Sequence, residues 1–357
     1  MLRIVSREDY IMKELFRVFL SLLLLSAALP VLSFADDGKS IYGDDDRLEY
    51  HQASADLQKL ADSVVSLWES KNLTASGSNF KLATMNFGKA LKLCPTEKFL
   101  DQPIGAFCSG TLVGEDIIMT AGHCITDEAK CKDTKFVFGY KVGKKDATAT
   151  TTVPAGDVYG CKKIIKRNLG RQPTTFVNTI AVLIGNLING GPGPDYALVQ
   201  LDKKVSGHKA LPVNRKQKLV KDTKLFVIGH PVGLPLKVAG GASIRDASPK
   251  YFFMTDLDTF GGNSGSAVFN AKTNLIEGIL VRGGTDFVKG PAGCTVSYQV
   301  GQKEGKGEAV TKMLSSIVNN IPAPKTIKNE KAAADVVDMK VDAPAPVDTE
   351  KTDVSFN

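Results

Sequence analysis

The middle of the chain, residues 108–300, alternates short apolar runs with polar turns. The runs are rich in β-branched and aromatic residues, and Gly, Pro and Asn cluster between them. This pattern is typical of strands joined by tight turns. Since no regular helices separate the runs, the pattern predicts an all-β sandwich or barrel. The runs are residues 136–142, 197–201, 224–230, 251–257, 266–270 and 275–281.

Two flanking segments carry helical spacing. Residues 55–70 fit a helix in their apolar periodicity, although residues 64–68 fit a strand equally well. Residues 308–320 are predicted to form a closing C-terminal helix. Its apolar face would comprise Val310, Met313, Leu314 and Ile317.

The first 35 residues have the organisation of a secretory signal peptide. Lys13 and Arg17 precede an apolar run of twelve residues, 18–29, and the small residues Ser33 and Ala35 end it. A membrane-spanning helix needs about twenty apolar residues, so we expect cleavage after Ala35, with an uncleaved anchor as the alternative. The protein is then secreted or periplasmic and has no membrane association once the signal is removed.

Three parts follow the signal peptide. Residues 36–40 form a short polar joint, residues 41–321 a folded domain, and residues 322–357 a tail rich in Pro, Lys, Asp and Ala. The tail has little apolar content, so we expect it to be disordered.

Composition and charge exclude several classes of protein. The 357 residues are 43% hydrophobic and 23% charged, which excludes a wholly disordered, a collagen-like and a multi-span membrane protein. The net charge of +7 is spread along the chain, so we expect no nucleic-acid partner.

Cysteine number and spacing indicate disulfides rather than a metal centre. All six cysteines lie after the signal peptide, and in an oxidising compartment they predict up to three disulfides. No pair has the CxxC spacing of zinc ribbons, so no metal site is expected. The cysteines are Cys94, Cys108, Cys124, Cys131, Cys161 and Cys294.

Three short segments contain the residue types of nucleophilic catalysis. They are residues 120–124 (TAGHC), 195–201 (DYALVQL) and 261–268 (GGNSGSAV). Each alone is compatible with an ordinary turn or strand end. Their occurrence in the order His, Asp, Ser favours a catalytic site.

Together these motifs resemble those of the chymotrypsin-like (trypsin-fold) serine peptidases. The resemblance covers most of residues 41–321 and is closest to the bacterial branch that includes glutamyl endopeptidases. Residues 41–47 resemble that branch's mature N-terminus, and residues 262–270 resemble its serine loop. The resemblance implies two packed antiparallel six-stranded β-barrels with a C-terminal helix. It further implies a monomeric serine endopeptidase that acts on protein or peptide substrates without a cofactor.

The resemblance assigns a role to each motif residue. Ser264 would be the nucleophile, and His123 would accept its proton and later protonate the leaving amine. Asp195 would fix the imidazole tautomer and stabilise the imidazolium. The N–H groups of Gly262 and Ser264 would form the oxyanion hole. His230 is a competing base, but Asp195 would then precede it in an unfamiliar order.

Disulfide pairing is only partly implied by the resemblance. The family pattern pairs Cys108 with Cys124, beside the histidine motif. For the other four cysteines the sequence leaves the pairing open. We predict Cys131 with Cys161 and Cys94 with Cys294.

Specificity rests on the residues around the primary pocket. Asp258 lies six residues before Ser264, where trypsin-like enzymes use a carboxylate to bind Arg or Lys. Gly283 would keep the pocket wall open. Glutamyl endopeptidases carry a His at the position of Leu280, which disfavours cleavage after Glu. We therefore expect cleavage after basic residues; the alternative is that Asp258 caps a loop and Phe260 closes the pocket.

Activation departs from the trypsin pattern. Trypsins pair a new N-terminal amine with an Asp directly before the nucleophile, and that position here is the uncharged Asn263. The sequence leaves open whether residues 36–40 are a propeptide removed before Ile41 or whether the mature enzyme begins at Asp36. A catalytically inactive trypsin-fold binding protein is the alternative function.

Overall fold

The computed structural model describes residues 41–170, 192–216, 218–283 and 285–323. The predicted signal peptide, the joint 36–40 and nearly all of the tail lie outside these residues. Numbered in chain order, the strands are β1 (Ile41–Tyr42), β2 (Leu48–Glu49), β3 (Val64–Glu69), β4 (Leu73–Ser76), β5 (Asn79–Leu82), β6 (Met85–Asn86), β7 (Pro103–Ile104), β8 (Cys108–Gly114), β9 (Ile117–Thr120), β10 (Thr134–Val137), β11 (Thr152–Pro154), β12 (Val158–Asn168), β13 (Tyr196–Leu201), β14 (Lys224–Gly229), β15 (Lys237–Asp246), β16 (Phe252–Thr255), β17 (Ala267–Asn270), β18 (Ile276–Arg282), β19 (Phe287–Lys289), β20 (Thr295–Ser297), β21 (Gln299–Val300) and β22 (Glu308–Lys312).

Helices are short and lie between or after the strands. The α-helices are α1 (Ala55–Ala61), α2 (Phe87–Leu91), α3 (Glu128–Lys132) and α4 (Ser315–Val318). Single 3-10 turns span Tyr50–Gln52, Ser70–Asn72, Ala155–Asp157 and Pro231–Gly233. Among the described residues, no helix is both long enough and apolar enough to cross a bilayer.

Six antiparallel strands close the first barrel. Their order is β10-β12-β13-β9-β8-β3, and β3 pairs back onto β10. Strands β8, β9 and β13 are buried over nearly their whole length, which explains their almost continuous apolar sequence. Leu67, Ile118, Phe136 and Val199, which share one face of the sheet, belong to the buried core.

The second barrel also closes with six antiparallel strands. Its order is β14-β17-β18-β22-β16-β15, and β15 pairs back onto β14. Strand β2 pairs with the start of β15, at Lys237 and Val238. Phe253, Leu280 and Val310 lie in its core. The predicted pair of antiparallel six-stranded barrels is therefore confirmed. A cluster of buried apolar side chains that includes Leu67 and Ile279 is shared by both barrels.

The C-terminal segment corrects one prediction. Residues 308–320 were expected to form one helix, but Glu308–Lys312 is strand β22 and only Ser315–Val318 is helical. Strand β22 pairs with β16 on one side and with β18 on the other. Pairing with these two strands, which are distant in sequence, stabilises the extended conformation more than the local apolar spacing favours a helix. Residues 55–70 contain both predicted alternatives, helix α1 followed by strand β3.

The three predicted disulfides are confirmed. Cys108 on β8 forms a disulfide with Cys124, four residues after β9, and Cys131 in α3 forms one with Cys161 on β12. Cys94 bonds Cys294 across 200 residues of sequence. This last bond ties the segment after α2 to the turn between β19 and β20.

Candidate active site

The pairing of β9 with β13 brings the predicted histidine and aspartate together. Ala197 on β13 pairs with Thr120 on β9, so the end of one strand lies beside the start of the other. His123 follows β9 by three residues, and Asp195 directly precedes β13. Gly122, which lies between β9 and His123, must be a glycine, since a Cβ there would lie 2.2 Å from the carbonyl oxygen of Asn168.

Asp195 orients His123 through three hydrogen bonds. Its Oδ2 lies 2.7 Å from His123 Nδ1. Its Oδ1 accepts the N–H groups of Gly122 at 2.6 Å and of His123 at 3.2 Å. The carboxylate is buried, whereas the imidazole is 37% exposed. With Nδ1–H donated to Asp195, Nε2 is left as the acceptor, which is the tautomer that a general base requires.

The serine loop lies between β16 and β17 and packs against the histidine loop. The Ser264 carbonyl oxygen accepts the N–H of Ser109 on β8 at 2.9 Å and lies 3.7 Å from Cys124 Sγ. Gly265 has φ +90°, and a Cβ there would lie 2.2 Å from both Ser109 O and Thr120 Oγ1. Only glycine fits this approach, which holds Ser264 beside the loop of His123. Within the described residues, the Ser264 hydroxyl makes no hydrogen bond to His123. In enzymes without substrate such contacts are often long.

The turn before Ser264 leaves its key amide groups free. Gly262 has φ +77°, and Asn263 N–H donates to Phe260 O at 3.2 Å. The carbonyl oxygen of Gly261 accepts the N–H of Val232 at 2.5 Å. A trans peptide points its N–H opposite to its C=O, so the Gly262 N–H points away from Val232. Neither this N–H nor that of Ser264 has a hydrogen-bond partner among the described residues, as an oxyanion hole requires.

Three side chains and one strained residue fix this turn. Asp286 Oδ2 accepts the N–H of Gly261 at 2.8 Å, and Ser109 Oγ donates to Gly262 O at 3.1 Å. Asn263 Oδ1 accepts the Ser266 hydroxyl at 2.8 Å. Val232 has φ +47°, a region that β-branched residues rarely adopt. The turn that forms the oxyanion hole is therefore held from several sides.

Asp258 contacts the N-terminal segment. Its Oδ1 accepts Tyr42 N–H at 2.7 Å, and its Oδ2 accepts Asp46 N–H at 3.0 Å. Burial raises the pKa of Asp258 above its usual range, against the effect of these two donors. Burial and the charge of Asp258 also raise the pKa of Asp46. Both carboxylate oxygens of Asp258 are thus engaged by the segment that begins at Ile41.

The other predicted pocket residues lie on or next to β18. Leu280 is buried in the core of the second barrel, and Gly283 follows the last residue of the strand. Phe260 is buried, and its ring centroid lies 4.6 Å from that of Phe287. The Arg47 guanidinium lies over the Phe260 ring, 4.2 Å from its centroid.

His230, the competing base, is fully buried, and its ring makes no hydrogen bond to Asp195 or Ser264 among the described residues. Its Nδ1 donates to Leu234 O at 3.0 Å, and its ring stacks on Tyr140. Cys108, His123 and Cys124 also place three ligand-type atoms within 4.8 Å. Since both sulfurs belong to one disulfide, they offer no thiolate to a metal.

Several residues that build the site have no signal in the sequence. Ser109, Val232 and Asp286 hold the serine turn through contacts between residues at least 25 positions apart. Arg282, on β18, donates to Gly193 O at 2.7 Å, just before Asp195. A single sequence reveals such partners only where a known motif includes them, and none of these four belongs to the three motifs.

Comparison with known proteins agrees with this geometry. Residues 108–279 match the model of the trypsin-like peptidase domain, a range that includes His123, Asp195 and Ser264. A curated relative, secreted RxLR effector protein 73 from Plasmopara viticola, is 25% identical over 194 residues, which is 50% of this chain and 42% of that protein. The match thus spans less than half the length of that relative.

Two solved structures are similar at low identity. A Glu endopeptidase has a TM-score of 0.41 and 17% identity, covering 79% of this chain and 97% of its own. The VesB protease of Vibrio cholerae has a TM-score of 0.42 and 14% identity, covering 79% of this chain and 66% of its own.

Residues 108–279 are similar to the trypsin-like peptidase domain, and they contribute strands to both antiparallel barrels. The match supports a serine peptidase.

The oxyanion turn predicts the effect of a single methyl group. In Gly262→Ala, the new Cβ would lie 2.9 Å from Gly233 N at φ +77°, so the turn must rearrange. We expect kcat for peptide hydrolysis to fall by about 100-fold or more with little change in KM. Gly139→Ala is the matched control, because Gly139 has the same φ but open space around its Cβ position. A Gly262→Ala enzyme as active as this control would contradict the assignment.

Buried His230 predicts a pH dependence of stability. Burial lowers the pKa of His230 to about 3, while the unfolded chain takes up the proton near pH 6.5. The unfolded state therefore binds more protons between these values, and the free energy of unfolding falls as the pH drops from about 6.5 to 3. The contribution has an upper limit of about 5 kcal/mol. Urea unfolding at a series of pH values gives the free energy of unfolding as a function of pH. This free energy should depend less steeply on pH in His230→Asn than in the wild type, and an identical dependence would contradict the prediction.

Proposed function

We propose that this chain is an exported serine endopeptidase that hydrolyses peptide bonds through His123, Asp195 and Ser264. The observation that carries the proposal is the 2.7 Å contact between His123 Nδ1 and Asp195 Oδ2, beside a serine turn with two free N–H groups. An oriented base, a hydroxyl and an oxyanion site are the parts that acyl transfer needs.

The first half of the reaction forms an acyl-enzyme. Ser264 Oγ attacks the carbonyl carbon of the scissile peptide while its proton passes to His123 Nε2. Negative charge on the carbonyl oxygen is stabilised by the N–H groups of Gly262 and Ser264. The C–N bond then breaks, and the imidazolium gives its proton to the leaving amine. Asp195 stabilises the imidazolium without being protonated.

The second half releases the acid product. Water attacks the acyl carbon as His123 takes one of its protons, and the same N–H groups hold the oxyanion. The bond from the carbonyl carbon to Ser264 Oγ breaks, and His123 returns the proton to that oxygen. The enzyme regains its starting state.

A basic residue before the scissile bond is the finer part of the proposal. A buried carboxylate six residues before the nucleophile favours Arg or Lys in the primary pocket. The support is the position of Asp258 in the sequence; around it the structure places Asp46, and Arg47 and Lys98 pair with the neighbouring Asp45. Asp258 also accepts the N–H groups of Tyr42 and Asp46, which is the behaviour expected of a loop cap. The experiment below therefore tests the assignment of Asp258 to the pocket separately from the triad.

Export is proposed from the chemistry of the chain's cysteines and its N-terminal sequence. Three disulfides suit an oxidising compartment, and residues 1–35 read as a signal peptide. We propose that the protein acts as a secreted or periplasmic monomer on protein or peptide substrates. An inactive binding protein on the same fold is the alternative, but none of the three triad residue types is lost here.

The proposal is tested by cleavage of a mixed peptide library. Signal-free protein should cut peptides, and Ser264→Ala should lower the rate by about 10⁴-fold or more because the nucleophile is gone. Ser76→Ala, at an exposed serine on β4, is the control and should keep the full rate. N-terminal sequencing of each sample reports whether the chain begins at Ile41 or at Asp36.

The cleaved bonds test the pocket separately. We expect cuts after Arg and Lys, and a loss of that preference in Asp258→Asn because the charge is removed. Cuts after other residues would leave the triad in place and exclude Asp258 as the pocket carboxylate. No cleavage by protein that begins at Ile41 would contradict the proposed activity.

A further inference from the structure

The second barrel binds the main chain of Asp195 with one hydroxyl group. Thr311 Oγ1, on β22, accepts the Asp195 N–H at 3.2 Å and donates to the Asp195 carbonyl oxygen at 2.9 Å. Thr311 is fully buried and lies 116 residues from Asp195 in sequence. A single side chain thus satisfies both backbone polar groups of the residue that orients His123.

A neighbouring strand supports the same turn of chain. Arg282 on β18 lies opposite Ala309 of β22 in the sheet, two residues from Thr311. Its guanidinium Nη2 donates to Gly193 O at 2.7 Å. The residues that lead into β13 are therefore held at two points by adjacent strands of the second barrel.

The nucleophile is attached to the same pair of strands. Gly265 N–H, next to Ser264, donates to Leu280 O at 2.8 Å. Leu280 on β18 pairs with Val310 on β22, the residue before Thr311. A short path of hydrogen-bonded backbone therefore joins Ser264 to Thr311, and the Thr311 hydroxyl joins that path to Asp195.

We propose that Thr311 is a positioning residue that sets the His123–Asp195 pair against Ser264. The inference rests on the proposed function. The base and its carboxylate belong to the first barrel and the nucleophile to the second, so their separation depends on contacts between barrels. The Thr311 hydroxyl makes that contact at Asp195 itself, and a small displacement there is expected to cost catalytic rate rather than substrate binding.

The test compares isosteric variants of two buried threonines. Thr311→Val removes the hydroxyl and keeps the shape, whereas Thr311→Ser keeps the hydroxyl. Thr255→Val is the matched control: Thr255 is also fully buried in the second barrel, on β16, but its hydroxyl has no hydrogen-bond partner among the described residues. Thr311→Ala, which leaves room for a water molecule, is the second variant if Thr311→Val does not fold.

The expected result separates positioning from general loss of structure. Thr311→Val should lower kcat by about 10- to 100-fold with KM nearly unchanged, and Thr311→Ser should restore most of the rate. A weaker contact with Asp195 stabilises the imidazolium less, so the acidic limb of the kcat/KM profile should move to lower pH. Thr255→Val should match the wild type in all three measurements.

A spectroscopic readout keeps this test independent of turnover. The proton shared between His123 Nδ1 and Asp195 should give a far-downfield ¹H NMR resonance, which should shift upfield or be lost in Thr311→Val but not in Thr255→Val. A folded Thr311→Val protein with unchanged kcat, pH profile and resonance would overturn the inference, as would equal losses in Thr255→Val. A wild type that cuts no peptide would instead count against the proposed function, while the resonance would still report on Thr311.

Discussion

The register between β9 and β13 is the constraint on which the candidate site depends. Pairing of Thr120 with Ala197 places the loop after one strand against the residue before the other, so that Asp195 accepts two main-chain N–H groups and contacts the imidazole of His123. A shift of one residue would turn every side chain of β13 to the opposite face. The nearly complete burial of both strands makes such a shift costly, so the core of the first barrel also fixes the geometry of the base.

In the serine turn, the hydrogen bonds that are made determine which backbone N–H groups have no partner. Gly261 and Gly262 direct their carbonyl oxygens to Val232 and Ser109, and Gly261 N–H is taken by Asp286. Buried or half-buried polar groups seek partners. Within the part of the chain that the structure describes, the N–H groups of Gly262 and Ser264 differ in having no hydrogen-bond partner. Donors that are already oriented need no reorganisation when charge develops on a substrate oxygen.

Much of the fold could be predicted because its signals are local. Short β-branched runs predicted an all-β sandwich or barrel, and the resemblance of the three motifs implied the two barrels and the roles of His123, Asp195 and Ser264. The strand at residues 308–312 was missed because the periodicity of its apolar residues also fits a helix, and only pairing with β16 and β18 decides between them. Contacts such as those of Asp258 with Tyr42 and Asp46 join residues more than 200 positions apart, and no spacing rule connects them. The assignment of Asp258 to a substrate pocket remains a prediction.

Covalent labelling of the folded chain is the most direct test of the central claim, that Ser264 is activated by His123 and Asp195. A fluorophosphonate reacts with serines whose hydroxyl is activated, and mass spectrometry of the digested protein identifies the modified residue. The account predicts one adduct per molecule, on Ser264, that is lost in His123→Ala and after unfolding. Folded protein without an adduct on Ser264, or an adduct that forms equally fast in His123→Ala, would contradict it.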